Sequence, residues 1–240
     1  RDRFMHWWLA VWLALVTHPI LDWFTVYGTQ ILRPFTDFPY AVGSMFIIDP
    51  LYTTPLVIAA ASAWFLRNPR PARWALGLGL ALSGAYLGWS WIAKTIVERR
   101  FELALAAAGH DDAAHFTVPT TFNTWVWRAV ALTPEAGLEG YIGVVDERTV
   151  HVQSNPRDAL ARDPVLRALP AVVRLDHFAS GFVDLRAENG DVVLLDLRMG
   201  AHPHYFFRFA VAEDAPGGWR EIPPRALPRP GFSWERLVDQ

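Results

Sequence analysis

Residues 74–109 read WALGLGLALSGAYLGWSWIAKTIVERRFELALAAAG, and the fold turns on how that stretch is divided. From Trp74 to Ala93 it contains no Asp, Glu, Lys or Arg. At about 1.5 Å per residue, roughly 20 apolar residues match a hydrocarbon core about 30 Å thick. From Lys94 the sequence becomes charged yet keeps good helix formers as far as Gly109, a natural residue to follow a helix C-terminus. Ile92, Ile96 and Leu103 keep near-helical spacing across the change. The expectation is one helix that leaves a membrane and continues into water as a stalk.

Towards the N-terminus the same apolar character continues. Phe4 to Leu21 carries no charge, the apolar run resumes after Asp22 as far as Leu32, and Pro50 to Leu66 forms another such stretch. Of the 22 basic and 24 acidic residues in this 240-residue chain, only ten precede Lys94, and eight of the twelve tryptophans do. Several of those tryptophans stand near segment ends, as interfacial aromatics do. Residues 1–93 therefore predict a bundle of three membrane-spanning helices, and residues 94–115 the stalk and its connection. The Arg67, Arg70 and Arg73 crowding between the second and third spans, together with Arg1 and Arg3, places those ends in the cytoplasm by the positive-inside rule. The chain after Ala93 then faces outward. Arg1 in place of a methionine, with no small-residue cleavage site nearby, leads us to expect natural sequence before it.

Beyond the stalk the period changes. TFNTWVWRAVAL, LEGYIGVVD and TVHVQ are short runs rich in aromatic and β-branched residues. FVDLRAENGDVVLLDLR is two such runs joined at Asn189-Gly190, a strong short-range hairpin signal. RDALARDPVLRAL between them reads as one or two short helices broken at Pro164. From Pro216 the chain, with its PPRALPRPG, reads as an extended tail. The fold class is α+β: a transmembrane helical bundle, a stalk helix, and a mainly antiparallel β domain over residues 116–240. A net charge of −2 gives no basic field for nucleic acid, and the absence of cysteine excludes disulfides, thiolate metal sites and cysteine nucleophiles.

THPILDW, residues 17–23, carries the sharpest chemistry. His18 and Asp22 are four apart, so on a helix they share one face, and Thr25 extends the stripe. An ionisable pair inside an apolar span is costly and marks a site facing a polar cavity, and Pro19 frees a backbone carbonyl beside it. Imidazole plus carboxylate at this spacing suits zinc or a similar divalent ion, while a purely structural pair holding helices together is the competing explanation. Asp49 before Pro50 is either a helix cap or a third ligand at the outward end of the bundle. Asp37 reads as a turn residue. His110 with His115, and His202 with His204, could each chelate, but a solvated helix end and a polar turn explain them more simply; His6, His151 and His177 stand alone. Were the β domain to cover the outer end of the bundle, Asn123, Trp127 and Arg128 would serve as substrate contacts. Nucleotide-loop, serine-hydrolase and HExxH patterns are absent.

THPILDWFTVYGTQILRPF, FIIDPLYTTP, PTTFNTWVWRAV and LLDLRMG together resemble the bacterial inner-membrane metal-dependent hydrolase family of YdjM type, with similarity running from about Arg1 to Phe209. The resemblance implies a distant relation to zinc-dependent phospholipases C and single-strand nucleases, whose metal sites use His-x3-Asp on helices; here that pattern falls on His18 and Asp22. It also implies an earlier histidine-rich motif on a preceding helix, which does not occur here. The expected function is a metal-dependent membrane hydrolase acting on a phosphoester or acyl ester of a membrane lipid. The alternative is a non-enzymatic membrane-anchored binding or assembly module in which His18 and Asp22 are structural.

Overall fold

The computed structural model describes residues 2–66, 68–146 and 148–228. Three helices come first: α1 (Asp2–Trp23), α2 (Pro50–Phe65) and α3 (Pro69–Ala107). Among the described residues, ten strands follow in two four-stranded sheets and one small ribbon. The chain divides into two compact units, the first comprising residues up to Thr133 with Leu138–Ser154, the second Pro134–Gly137 with the chain from Asn155 onward. The first sheet thus belongs with the helices.

In the first unit, the starts of α2 and α3 are marked by their residues. Asp49 caps α2, its carboxylate accepting from the Leu51 and Tyr52 N–H groups, and Asn68 caps α3, each with proline at the first helical position. Two described helices, Arg3–Trp23 and Pro69–Ala107, are long and apolar enough to cross a membrane. Three were expected. At 16 residues α2 is about 24 Å long, short of the roughly 30 Å core. It packs instead along the first half of α3, where Gly79 admits it: a Cβ there would come within 2.4 Å of the Ala59 Cβ. Ser83 adds a hydrogen bond to the Tyr52 carbonyl at 2.7 Å. Small residues at such a contact allow the backbones to approach closely, which is how helices associate where no water drives them together.

The second half of α3 is built differently. Ala93, Val97, Phe101 and Leu105 recur every four residues and are 0–1% exposed. The helix then ends at Gly109, with φ of +77°, as its residue type predicted. β1 (Ala114–Pro119), β2 (Val126–Leu132), β3 (Ala136–Gly143) and β4 (Val152–Pro156) form a sheet in that order. Lys94 reaches the Thr117 carbonyl on β1 at 3.0 Å, and Arg100 the Gly143 carbonyl on β3 at 2.7 Å and the Asp146 carbonyl. The stalk is therefore the support of a sheet. β1 was missed in the sequence because AAHFTVP follows so polar a stretch.

The second unit opens with a 3-10 turn (Ala159–Arg162), α4 (Pro164–Arg167) and α5 (Pro170–Phe178), the break at Asp163–Pro164 falling where proline dictates. β5 (Val183–Glu188) and β6 (Asp191–Asp196) form the expected hairpin, Asn189 and Gly190 both taking positive φ, at 52° and 85°. A ribbon of β7 (Gly200–Ala201) and β8 (His204–Tyr205) precedes β9 (Arg208–Ala215) and β10 (Gly218–Ala226). The second sheet runs β10-β9-β6-β5, and Val172 of α5 joins Val183, Leu185, Val192, Leu194 and Val211 in its core. β10 corrects the expectation of an extended tail from Pro216. Its register slips between Glu221 and Arg225, across Pro223-Pro224, because proline donates nothing to a ladder and is tolerated on an edge strand. Residues 229–240 of that expected tail lie outside the described residues.

Candidate functional site

His18 and Asp22 sit one turn apart near the C-terminal end of α1, with Nε2 and Oδ2 separated by 3.3 Å. Their side chains are 76% and 51% exposed. The separation lies just outside the usual 2.7–3.2 Å range for N–H···O hydrogen bonding. It matches the edge of a tetrahedron, since two ligands at about 2.0–2.1 Å from one zinc ion lie about 3.3 Å apart. Imidazole and carboxylate are a donor pair that a divalent ion accepts, but both side chains lie open on the surface of α1 and do not face the polar cavity expected of a metal site.

The expected companions have other roles. α1 ends at Trp23, so Thr25 does not continue the stripe; it lies in the turn beyond, 7% exposed, its hydroxyl donating to the Asp22 carbonyl at 2.8 Å. Asp49 is 2% exposed and already occupied. One carboxylate oxygen caps α2, and the other accepts from the Tyr86 hydroxyl at 2.8 Å. Thr124 donates to that hydroxyl at 3.2 Å and accepts from the Trp89 indole at 3.2 Å. Among the described residues, no group of three or more His, Cys, Asp or Glu side chains is placed to hold a metal ion, so Asp49 does not join His18 and Asp22 in one cluster.

Asn123, Trp127 and Arg128 are likewise engaged within the first unit. Asn123 Oδ1 accepts from the Trp125 and Val126 N–H groups, both at 2.9 Å, closing the turn before β2. Trp127 is fully enclosed and donates its indole N–H to the Thr124 carbonyl at 2.9 Å. Arg128, 4% exposed, makes a two-pronged pair with Glu139 at 2.8 and 3.2 Å and stacks over Phe116. Beside this pair, burial and the Glu139 carboxylate raise the Tyr141 hydroxyl above its ordinary pKa. Trp127 and Arg128 lie inside a β unit, where tryptophan and a paired arginine serve packing, and Asn123 closes the turn beside it.

His115 lies on β1, partly buried and 3.8 Å from Glu102, so it is not part of a solvated helix end as expected, while His202 occupies the turn between β7 and β8, 3.5 Å from Arg186. What went unread is the polar seam of α3. Ser83, Tyr86 and Ser90, spaced three and four apart in an apolar run, face Tyr52, Asp49 and Ser44 respectively. That spacing was available in the sequence and marks the face of α3 turned to its neighbours.

Comparison with known proteins agrees with the motif reading. The family model described as YdjM inner membrane protein matches residues 1–97, which contain α1, α2, the polar seam and the His18–Asp22 pair. The chain is 27% identical over 212 residues to a Bacillus subtilis (strain 168) protein described as "Uncharacterized protein YfhP", covering 85% of this chain and 62% of the relative. The chain thus spans less than two thirds of that relative's length. No solved structure matches it.

Proposed function

We propose, from the premise that residues 1–97 are a YdjM-type membrane segment, that this chain is a membrane-anchored metal-dependent hydrolase with His18 and Asp22 as two of its metal ligands. The observation carrying this reading is the open His18–Asp22 pair, at a separation suited to two neighbouring ligands on one ion. When bound, the metal would supply Lewis acidity toward a phosphoryl or acyl oxygen and acidify water. The chain's own part is to hold one imidazole and one carboxylate on a rigid helical turn, about one turn below Trp23. At that depth the group in reach is the ester region of a lipid, so a lipid phosphoester is the substrate class. Zinc suits the donors best.

The topology belongs to the same proposal. α2 inserts against α3 as a third, short membrane helix, and Arg67, Arg70 and Arg73 hold their intervening turn in the cytoplasm, which puts the chain from Lys94 outward. A reporter active only in the cytoplasm, fused after Val238, is expected to be silent; activity there reverses the orientation. A second reading, a non-enzymatic binding or assembly module, is favoured by the enclosure of Trp127 and Arg128 and by the lack of a three-ligand group among the described residues.

Metal analysis separates the two. In the purified full-length protein, wild type is expected to hold stoichiometric metal, and His18→Ala or Asp22→Ala to lose it while remaining folded, because neither side chain is packed. A purely structural pair as open as this one contributes about 0–1 kcal/mol, and there the wild type would hold no metal.

A further inference from the structure

The connection between α1 and α2 is ordered and carries a feature the membrane helices do not explain. Thr29 and Tyr40 exchange two backbone hydrogen bonds, at 2.8 and 3.1 Å, making a short stem. Gly28, at φ +96°, lets it close, since a Cβ there would come within 2.8 Å of the Pro39 carbonyl oxygen. The stem is rooted where α1 ends, with the Val42 N–H donating to the Trp23 carbonyl at 2.7 Å. Trp23 meets Trp91 of α3 edge to face at 6.1 Å, so both helices carry an interfacial tryptophan at this level.

At the tip, Ile31, Leu32 and Phe35 are 38%, 48% and 92% exposed. A single exposed hydrophobe is ordinary, but three on one five-residue turn beside a helix end form a patch. The tip is also prepared for a medium poor in water. Ile31 N–H donates to Thr29, Arg33 to Gln30, and Phe35 and Thr36 to the Leu32 carbonyl, at 2.8–3.3 Å, while Pro34 has no N–H to satisfy. Unpaired backbone donors are what keep a loop out of lipid, and these four are paired within the loop. Arg33 places a cation on a flexible stem among the apolar side chains. Asp37, the loop's one carboxylate residue, lies on the returning arm, its carbonyl bonded by the Gln30 amide at 2.8 Å.

We infer that the loop of residues 28–42 dips its tip, Ile31, Leu32 and Phe35, into the headgroup and acyl boundary of the bilayer that α1 and α3 enter, with Arg33 meeting lipid phosphate. The inference rests on the membrane reading of those helices and is independent of any metal. An apolar tip continuous with a helix end and carrying a basic side chain has the chemistry of an interfacial anchor.

The chain has no cysteine, so single-cysteine variants need no background changes. Leu32→Cys, Phe35→Cys, Leu13→Cys in α1 and Asp112→Cys beyond α3 would each be labelled with an environment-sensitive fluorophore. The full chain would be reconstituted in phosphatidylethanolamine and phosphatidylglycerol vesicles with and without brominated acyl chains. Labels at 32 and 35 are expected to shift to the blue and to be quenched at a depth of about 5–10 Å, with the label at 13 deeper and that at 112 unaffected. Water-like emission at both 32 and 35 beside a quenched label at 13 overturns the inference and leaves the membrane reading standing. Shielded but unquenched labels at 32 and 35 mark protein cover and overturn it too. Water-like emission at 13 as well brings down the membrane reading with it.

Discussion

The two halves of α3 are one continuous helix under two sets of rules. In the first half Leu76, Leu78, Leu80 and Leu82 are 41–66% exposed, while the buried positions are the small Gly79 and Ser83. In the second half the buried stripe is Ala93, Val97, Phe101 and Leu105, and the cations Lys94 and Arg100 bond carbonyls of the neighbouring sheet. Burial of large apolar side chains stabilises a fold only where water is the alternative. Where lipid is the alternative, leucine gains nothing by turning inward, and close backbone approach with polar bonds takes over. On the membrane reading proposed above, the inversion of which side chains are buried, within one helix, would put the change of solvent near Trp89–Trp91.

The largest test of that contrast compares two single truncations. Phe101→Ala removes a side chain with no exposure and is expected to cost about 3–5 kcal/mol in thermal unfolding of detergent-solubilised protein. Leu80→Ala, at 66% exposure, is expected to fall within about 0.5 kcal/mol of wild type. Equal losses would mean that both halves pack against protein, and the division of α3 would fail.

Arg128 tests whether the first sheet behaves as a water-soluble core. Arg128→Ala strands the Glu139 carboxylate at 8% exposure and is expected to cost about 3–5 kcal/mol. The double replacement Arg128→Met with Glu139→Leu removes both charges and is expected to recover most of that loss. If Arg128 were instead a substrate contact, Arg128→Ala would leave the unfolding temperature unchanged.

Gly79 tests the lipid-facing half at smaller scale. Gly79→Ala forces a Cβ within 2.4 Å of Ala59 and 2.8 Å of the Pro55 carbonyl, and is expected to cost about 1–3 kcal/mol by prising α2 from α3. Gly77→Ala, where nothing lies within 4 Å, is expected to stabilise by up to about 1 kcal/mol through helix propensity. Adding Ala59→Gly to Gly79→Ala should return part of the loss. No difference between the two alanine variants would dissolve the proposed helix contact.

The same contrast explains what could be read from the sequence. α3, the cap at Asp49 and the Asn189-Gly190 turn were legible because each depends on residues within a few positions of one another. The His18–Asp22 juxtaposition was legible for the same reason, a four-residue spacing on one helix. The enclosure of Trp127 and Arg128 was not legible, because residue type alone does not tell an exposed aromatic or cation from an enclosed, paired one; it takes Glu139, eleven positions away, to show Arg128 paired. Asp49 satisfied both of its readings in sequence, and only Tyr86, 37 residues on, shows its second oxygen engaged. β10 was hidden because Pro223-Pro224 argues against a strand unless an edge position is known.

The smallest expected effect lies where the first unit meets water, after β3. Asp146 is tied by Arg148, whose guanidinium and backbone N–H donate to its carboxylate at 2.6–3.1 Å, and these bonds hold its pKa well below 3.8, at about 2. Because the folded-state value is depressed, the contribution is present above pH 3.8 and is lost as the pH falls toward 2. Arg148 is 87% exposed, so solvent screens the pair and its effect on stability at neutral pH is expected to be slight. Carboxyl NMR should find Asp146 titrating near 2, and in Arg148→Gln the midpoint should climb toward 3.8 with the unfolding temperature at pH 7 unmoved. A fall in that temperature comparable to the Arg128→Ala loss would mean that this turn is as enclosed as the pair on β2 and β3, and the boundary between core and water in the first unit would have to be redrawn.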